Sequence, residues 1–180
     1  MVSQLVERMR QKDQRAMSQF YQMYVEELSS VCYRYVPSRS DAKDVLQNSF
    51  VKIFTQLPTI EYVSEETLKA WMKRVVANEA LGFLRKQKKL LFVAQTAADA
   101  DQTDDTEPQP EHISPEELHQ LISGLPDGYR TVVNLYVFEG YSHKKIAELL
   151  GISESTSSSQ LYFAKRLLAR RIKELMRKKR

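Results

Sequence analysis

The chain has 180 residues, 42% of them hydrophobic and only five of them glycine, which suits one packed domain or two small ones and argues against a turn-rich β protein. Its one cysteine, Cys32, excludes an internal disulfide and a cysteine metal cluster, and the longest apolar run, Leu90–Ala94, is far too short to span a bilayer. The net charge of +4 conceals a division: residues 1–89 carry 15 Lys and Arg against 10 Asp and Glu, residues 90–117 none against 8, and residues 118–180 12 against 5. Two basic bodies joined by an acidic strap fit a polyanion held at two places, whereas plain solvated charge does not predict this segregation.

Long periodic runs rich in Leu, Ala, Lys, Glu, Arg and Gln predict an all-α fold. The start, MVSQLVERMRQKDQ, is amphipathic and charged rather than a signal peptide, so the expected location is cytoplasmic, with no membrane insertion. Leu5, Met9, Ala16, Phe20, Met23, Tyr24, Leu28, Val31 and Tyr35 recur at roughly helical intervals and predict one or two helices over residues 3–36, stopped by Pro37. Cys32 falls in this pattern, as a buried, inert thiol would. Ser40 is placed to cap the next helix, with Asp41 and Asp44 in its first turn, where the dipole favours carboxylates. Ala42, Val45, Leu46, Phe50, Ile53, Phe54 and Leu57 form its buried face and leave Asp44, Gln47, Asn48 and Lys52 outside. Pro58 ends it, and the stretch from Leu57 to Thr67 reads as a polar loop. A further helix from near Thr67 to about Lys89 turns Leu68, Trp71, Met72, Val75, Leu81 and Leu84 inward, leaving Lys73, Arg74, Asn78, Arg85, Lys86, Lys88 and Lys89 outside. Trp71 suits a core position better than a stacking platform for single strands, and the charged face suits nucleic acid and plain solvent equally.

Residues 95–115 have no periodicity, low hydrophobicity and three prolines, as a flexible acidic linker has. The expected architecture is two small helical domains, residues 1–92 and 115–180, joined by a linker over residues 93–114. Ser114 can cap the first helix of the second domain with Pro115 in its opening position. Leu118, Leu121, Ile122 and Leu125 follow, the chain breaks at Pro126–Gly128, and a helix resumes from Tyr129 to Phe138.

The stretch from Tyr141 to Ile172 reads as two helices joined by a tight turn. Ser142 caps the first, Ile146, Ala147 and Leu150 share one face, and Gly151 suits a left-handed C-terminal residue. Ser153 caps the second, with Glu154 against its dipole. Leu161, Ala164, Leu168, Ile172 and Leu175 make an apolar stripe, and Lys165, Arg166, Arg170, Arg171 and Lys173 supply charge. This is a helix-turn-helix, in which the small Ala147 permits a close crossing. Ser155, Thr156, Ser158, Ser159 and Gln160, at the start of the second helix, are short and polar as base-edge contact requires. An ordinary αα-hairpin with a cationic outer face is the alternative.

Three blocks in this order, SDAKDVLQNSFVKIF, AWMKRVVANEALGFLRKQKK and LPDGYRTVVNLYVFEGYSHKKIAELLGISESTSSSQLYFAKRLL, resemble bacterial RNA polymerase sigma factors of the extracytoplasmic-function group. The resemblance runs from about Met17 to Leu175 and implies a region 2-like and a region 4-like domain. The first block is similar to the helix that docks on the coiled-coil clamp of the polymerase largest subunit, which implies Asp41, Asp44, Gln47, Asn48 and Phe50 as core-polymerase-binding residues. The second is similar to the minus-ten recognition and melting helix, which implies Lys73, Arg74, Asn78, Arg85 and Lys86 as DNA contacts. The loop between Leu57 and Thr67 corresponds to the one that captures a flipped minus-ten base. The third resembles the minus-thirty-five reader, which implies Ser142, Lys144, Ser155, Thr156, Ser158, Ser159, Gln160, Tyr162, Phe163, Lys165 and Arg166. The acidic linker corresponds to the segment that threads the polymerase towards its active site and RNA exit path.

Some positions depart from the family pattern. Gly82 stands where aspartate is common and Asn48 where glutamate is common. Ser157 takes a slot usually filled by valine, which predicts weaker packing of the second helix. Ser158, Gln160 and Phe163 replace residues that are often basic, which predicts fewer phosphate or guanine contacts and Phe163 against a thymine methyl. The implied partners are core RNA polymerase, promoter DNA and an anti-sigma factor. No cofactor, metal or catalytic residue is expected, since His112, His119 and His143 are scattered and no nucleophile triad, phosphate loop or metal spacing occurs. The competing reading, a stand-alone helix-turn-helix regulator, leaves the polar face of residues 41–57 and the basic stretch of residues 73–89 without a role.

Overall fold

The computed structural model describes residues 2–87 and 113–179. The chain divides into two compact units, Met1–Gln87 and Lys88–Arg180, and every regular element among the described residues is helical. The acidic linker stretch falls outside the described residues except for Ile113 and Ser114, as do Lys88, Lys89, His112 and the apolar run Leu90–Ala94.

In the first unit, α1 (Val2–Arg10) is followed by α2 (Gln14–Tyr35), α3 (Arg39–Gln56), a single 3-10 turn (Leu57–Thr59) and α4 (Glu65–Lys86). The Asp13 carboxylate ends the α1–α2 turn by accepting from the backbone N–H groups of Arg15 and Ala16. It also takes the Arg8 guanidinium at 2.7 Å. Helices α2, α3 and α4 pack together around Phe20, Leu28, Tyr35, Ile53, Met72 and Leu81, all nearly inaccessible. Burying each such side chain contributes roughly 1.5–3 kcal/mol, so this three-helix contact is the main source of the unit's cohesion. Helix α1 closes one side with Val2, Leu5, Val6 and Met9. Cys32 is fully buried and donates its thiol to the Ala42 carbonyl at 3.3 Å; burial pushes its pKa up to about 12.

Several boundaries differ from the sequence expectation. Ser38, not Ser40, caps α3, because the helix begins as soon as Pro37 is passed; Asp41 is in its first turn and Asp44 lies beyond it. Ser64 caps α4 by accepting from the Thr67 N–H, so this helix starts at Glu65, and both Glu65 and Glu66 meet the positive end of its dipole. Met23, expected on the apolar face of α2, is exposed, while Ser49 is buried in α3 with its hydroxyl donating to the Val45 carbonyl.

The second unit comprises α5 (Pro115–Ser123), α6 (Asp127–Val133) running on into one π turn (Asn134–Phe138), α7 (His143–Leu150) and α8 (Glu154–Lys179). A reciprocal capping box joins Ser114 and Glu117 at the start of α5. The break lies earlier in the chain than Pro126–Gly128: α5 ends at Ser123 and α6 starts at Asp127, so Gly124, Leu125 and Pro126 form the turn and Gly128 lies within α6. The buried Arg130 explains this, since its guanidinium donates to the Ser123 and Leu125 carbonyls and to Asp127, tying the end of α5 to the start of α6. The expected helix to Phe138 widens at its end, where the Glu139 N–H reaches the Asn134 carbonyl. Gly140, at φ +70°, then turns the chain towards α7. The core is Ile122, Leu125, Val132, Leu135, Ile146, Leu161 and Ala164, with α8 packed against α6, α7 and α5. Leu118 is exposed, contrary to its place in the expected apolar run.

Candidate nucleic-acid interface and docking face

In the first unit, α3 presents Asp44, Gln47, Asn48 and Lys52 to solvent, with Asp41 half-buried at its start. Four of the five expected docking residues therefore share an accessible helix face. Phe50 does not: only 3% of it is exposed, and its ring lies 4.6 Å from that of Tyr21 and 5.7 Å from that of Phe54. This corrects its assignment as a contact. A large aromatic side chain three residues before the buried Ile53 completes the apolar stripe and supports the face from beneath. Two apolar residues that the sequence reading did not single out are exposed here, Val51 on α3 and Tyr21, whose ring covers Phe50. Val51 was legible as an apolar residue out of phase with the buried stripe.

Helix α4 turns Arg74, Asn78 and Arg85 outward at spacings of four and seven residues, which places them on one face, and Lys86 is exposed nearby. Lys73 differs, since its ammonium pairs with Glu27 of α2 at 2.7 Å. Between the 57–67 stretch and the start of α4 lies a pocket of about 290 Å³ lined by Leu57, Ile60, Tyr62, Leu68, Trp71 and Arg74 among others. Its wall is anchored by Arg10, which donates to the Ile60 carbonyl at 2.7 Å. Trp71 is half-buried and lines this pocket, so it is neither a full core residue nor a free stacking platform. An aromatic, partly apolar recess beside a guanidinium has the chemistry to stack an unpaired base and hold its phosphate.

In the second unit the helix-turn-helix has the expected punctuation. The Ser142 hydroxyl accepts from the Lys145 N–H, Gly151 is left-handed at φ +68°, and the Ser153 hydroxyl accepts from the Thr156 N–H at 3.0 Å. Ser155, Ser158 and Ser159 are exposed on the opening turns of α8, as are the cap residue Ser142 and Lys144 at the start of α7, while Thr156 is half-buried. Tyr162 is exposed, with Arg166 over its ring at 5.6 Å and Phe163 against its edge at 5.1 Å. Lys165 is exposed and Arg166 and Phe163 are half-buried. Gln160 is a correction: only 4% of it is exposed, so it lies in the packing face of α8 and is not presented to DNA. Polarity alone suggested otherwise, but residue 160 shares the inward face with Ser157, Leu161 and Ala164. Ser157 is also buried, and its Oγ lies 2.9 Å from Nδ1 of His143.

Among the described residues no helix is long and apolar enough to cross a membrane. A family profile described as Sigma-70 region 2 matches residues 20–90, and one described as Sigma-70, region 4, matches residues 115–168. The RNA polymerase sigma factor SigV of Bacillus subtilis is 30% identical over 140 residues, covering 77% of this chain and 80% of that protein. The ECF RNA polymerase sigma-E factor of Haemophilus influenzae is 29% identical over 184 residues, covering 96% of this chain and 95% of that protein. Among solved structures, CnrH in complex with the cytosolic domain of CnrY is similar at 19% identity over 94% of this chain and 96% of that one, with a TM-score of 0.49. The two regions span both helical units in the family's order, and the chain belongs to the extracytoplasmic-function group of bacterial RNA polymerase sigma factors.

Proposed function

We propose that this sigma factor divides its work between the two units as follows. The outer face of α3, Asp41, Asp44, Gln47 and Asn48 with Val51 beside them, docks on core RNA polymerase. Arg74, Asn78, Arg85 and Lys86 of α4 meet the minus-ten strand, and the pocket beside Trp71 receives an unstacked base. Ser155, Ser158, Ser159, Tyr162 and Lys165 of α8, with Lys144 of α7, contact the minus-thirty-five element in the major groove. The observation that carries this reading is the outward, hydrogen-bond-capped presentation of short polar side chains at the start of a basic helix, in a chain whose other unit matches region 2. The domain limits we adopt are residues 1–92 and 115–180, with the acidic segment between them as the linker.

The protein works in the cytoplasm with the polymerase and initiates transcription without catalysing a reaction of its own. An anti-sigma factor covers the docking and DNA surfaces until a signal releases it, and co-purification from the native host tests that partner. The primary experiment is run-off transcription from fragmented host DNA with purified core polymerase, with and without this protein. New transcripts sharing a two-part upstream motif are the expected result. Absence of any association with core would overturn the assignment and favour the stand-alone regulator.

A further inference from the structure

The helix-turn-helix contains a polar contact that none of these assignments uses. Ser157 has no exposed surface, and its Oγ shares a 2.9 Å hydrogen bond with Nδ1 of His143, the first residue of α7. The His143 ring in turn stacks on Tyr136, with centroids 4.7 Å apart and planes 22° from parallel. Tyr136 belongs to the π turn that ends α6. Three successive elements are thus linked where α7 begins and α8 makes its opening turns.

The contact differs in kind from its surroundings. Ile146, Ala147, Leu161 and Ala164 hold α7 and α8 together through apolar burial, which is non-directional and tolerates small rotations. A hydrogen bond between one ring nitrogen and one hydroxyl weakens steeply off-axis, and a buried hydroxyl deprived of its partner is costly. The serine hydroxyl can donate or accept, so the link holds whichever ring nitrogen carries the proton. Ser158 and Ser159 directly follow Ser157 on the exposed side, so the orientation that satisfies the pair is also the one that presents them.

We propose that His143 is a positioning residue of the minus-thirty-five reader, fixing through Ser157 the tilt at which α8 lies in the groove. This rests on the assignment of α8 as the promoter-recognition helix. The test uses holoenzyme assembled with the full chain and a promoter obtained by run-off selection. It measures discrimination between that promoter and a copy with a scrambled minus-thirty-five element and an intact minus-ten element. His143→Ala should lower this discrimination by about three- to tenfold, the value of one neutral hydrogen bond. Binding to the scrambled copy and to core polymerase should not change. Ser157→Ala should show the same loss, and the two substitutions together should add little further. His143→Asn, whose amide occupies the place of Nδ1, should restore discrimination, whereas His143→Gln, which reaches the place of Nε2, should not.

Unchanged discrimination in His143→Ala would overturn the proposal, as would equal losses on both templates, the mark of a merely structural role. Rescue by Gln and not by Asn would overturn it in favour of a direct contact between the ring and DNA. A wild-type holoenzyme indifferent to the scrambled element would remove the assignment of α8 itself, and this proposal with it.

Discussion

Phe50 and Asp44 lie six residues apart on different faces of α3 and separate packing from contact at single-residue scale. Phe50→Ala should destabilise the first unit by about 3–5 kcal/mol, because it deletes a buried ring packed on Tyr21 and Phe54. Any lost polymerase binding in that variant should track a fallen Tm. Asp44→Arg reverses a charge on an exposed position. It should abolish association with core polymerase in a pull-down while leaving the thermal melt where it was, and unchanged association would sink the docking assignment. Asn78→Ala should leave core binding intact and reduce permanganate reactivity of the melted minus-ten bases; full reactivity would show that Asn78 does not meet that strand. Glu117 illustrates a smaller electrostatic effect. The Lys179 ammonium, then the Ser114 N–H, holds its carboxyl below the usual value of 4.5. A depressed folded pKa means stabilisation present at neutral pH and lost as the pH falls through that folded pKa. Glu117→Gln should therefore lower the Tm of the second unit slightly at pH 7, with the difference closing in acid.

At the scale of the element, α4 contains an inexpensive gain. Gly82 sits inside that helix, and a Cβ built there meets nothing within 4 Å. Gly82→Ala should stabilise the unit by about 0.5–1 kcal/mol by restricting the unfolded chain and improving helix propensity, read as a raised chemical-denaturation midpoint. Gly151 is the counter-case: Ala there meets open space but must adopt φ +68°, so the same substitution should destabilise the helix-turn-helix by about 1–2 kcal/mol. Elements bounded by local chemistry were legible in the sequence. Ser114 with Pro115, Ser142, Gly151 and Ser153 act at short range, and each stands where its residue type predicts. The starts of α3, α4 and α6 were not. Ser38 and Ser64 compete with equally good neighbouring caps, and α6 depends on Arg130 reaching carbonyls five and seven residues back. Inward and outward faces are set by a residue's angular position on its helix: polarity does not bring Gln160 to the surface, nor does a motif position bring Phe50 there, because both lie in helix packing faces. The pocket beside Trp71 could not be read at all from periodicity, because it is made by a loop folding back over a helix.

On the scale of the whole chain, charge is distributed so that the free protein and the polymerase-bound protein face different electrostatic problems. Residues 1–89 and 118–180 each carry excess Lys and Arg, and such charge attracts any duplex through counterion release, which supplies affinity without sequence preference. The eight carboxylates of residues 90–117, with no Lys or Arg among them, reduce the net charge to +4. By charge alone, an acidic segment on the same chain should compete with phosphate for cationic faces, most strongly at low salt, where screening is weakest. Replacing Asp99, Asp101, Asp104, Asp105, Glu107 and Glu111 with their amides should therefore tighten binding of the free protein to non-promoter duplex and steepen its salt dependence. Fluorescence anisotropy across a salt series measures both. The gain should be greatest at low ionic strength and shrink as salt is raised, because the competing tether and the competing DNA are screened together. Affinity that rises equally at every salt concentration would mean that the carboxylates act by something other than charge. In the holoenzyme the same substitutions should lower the ratio of promoter to non-promoter transcripts, since a sigma factor that clings to any duplex delivers polymerase to the wrong sites.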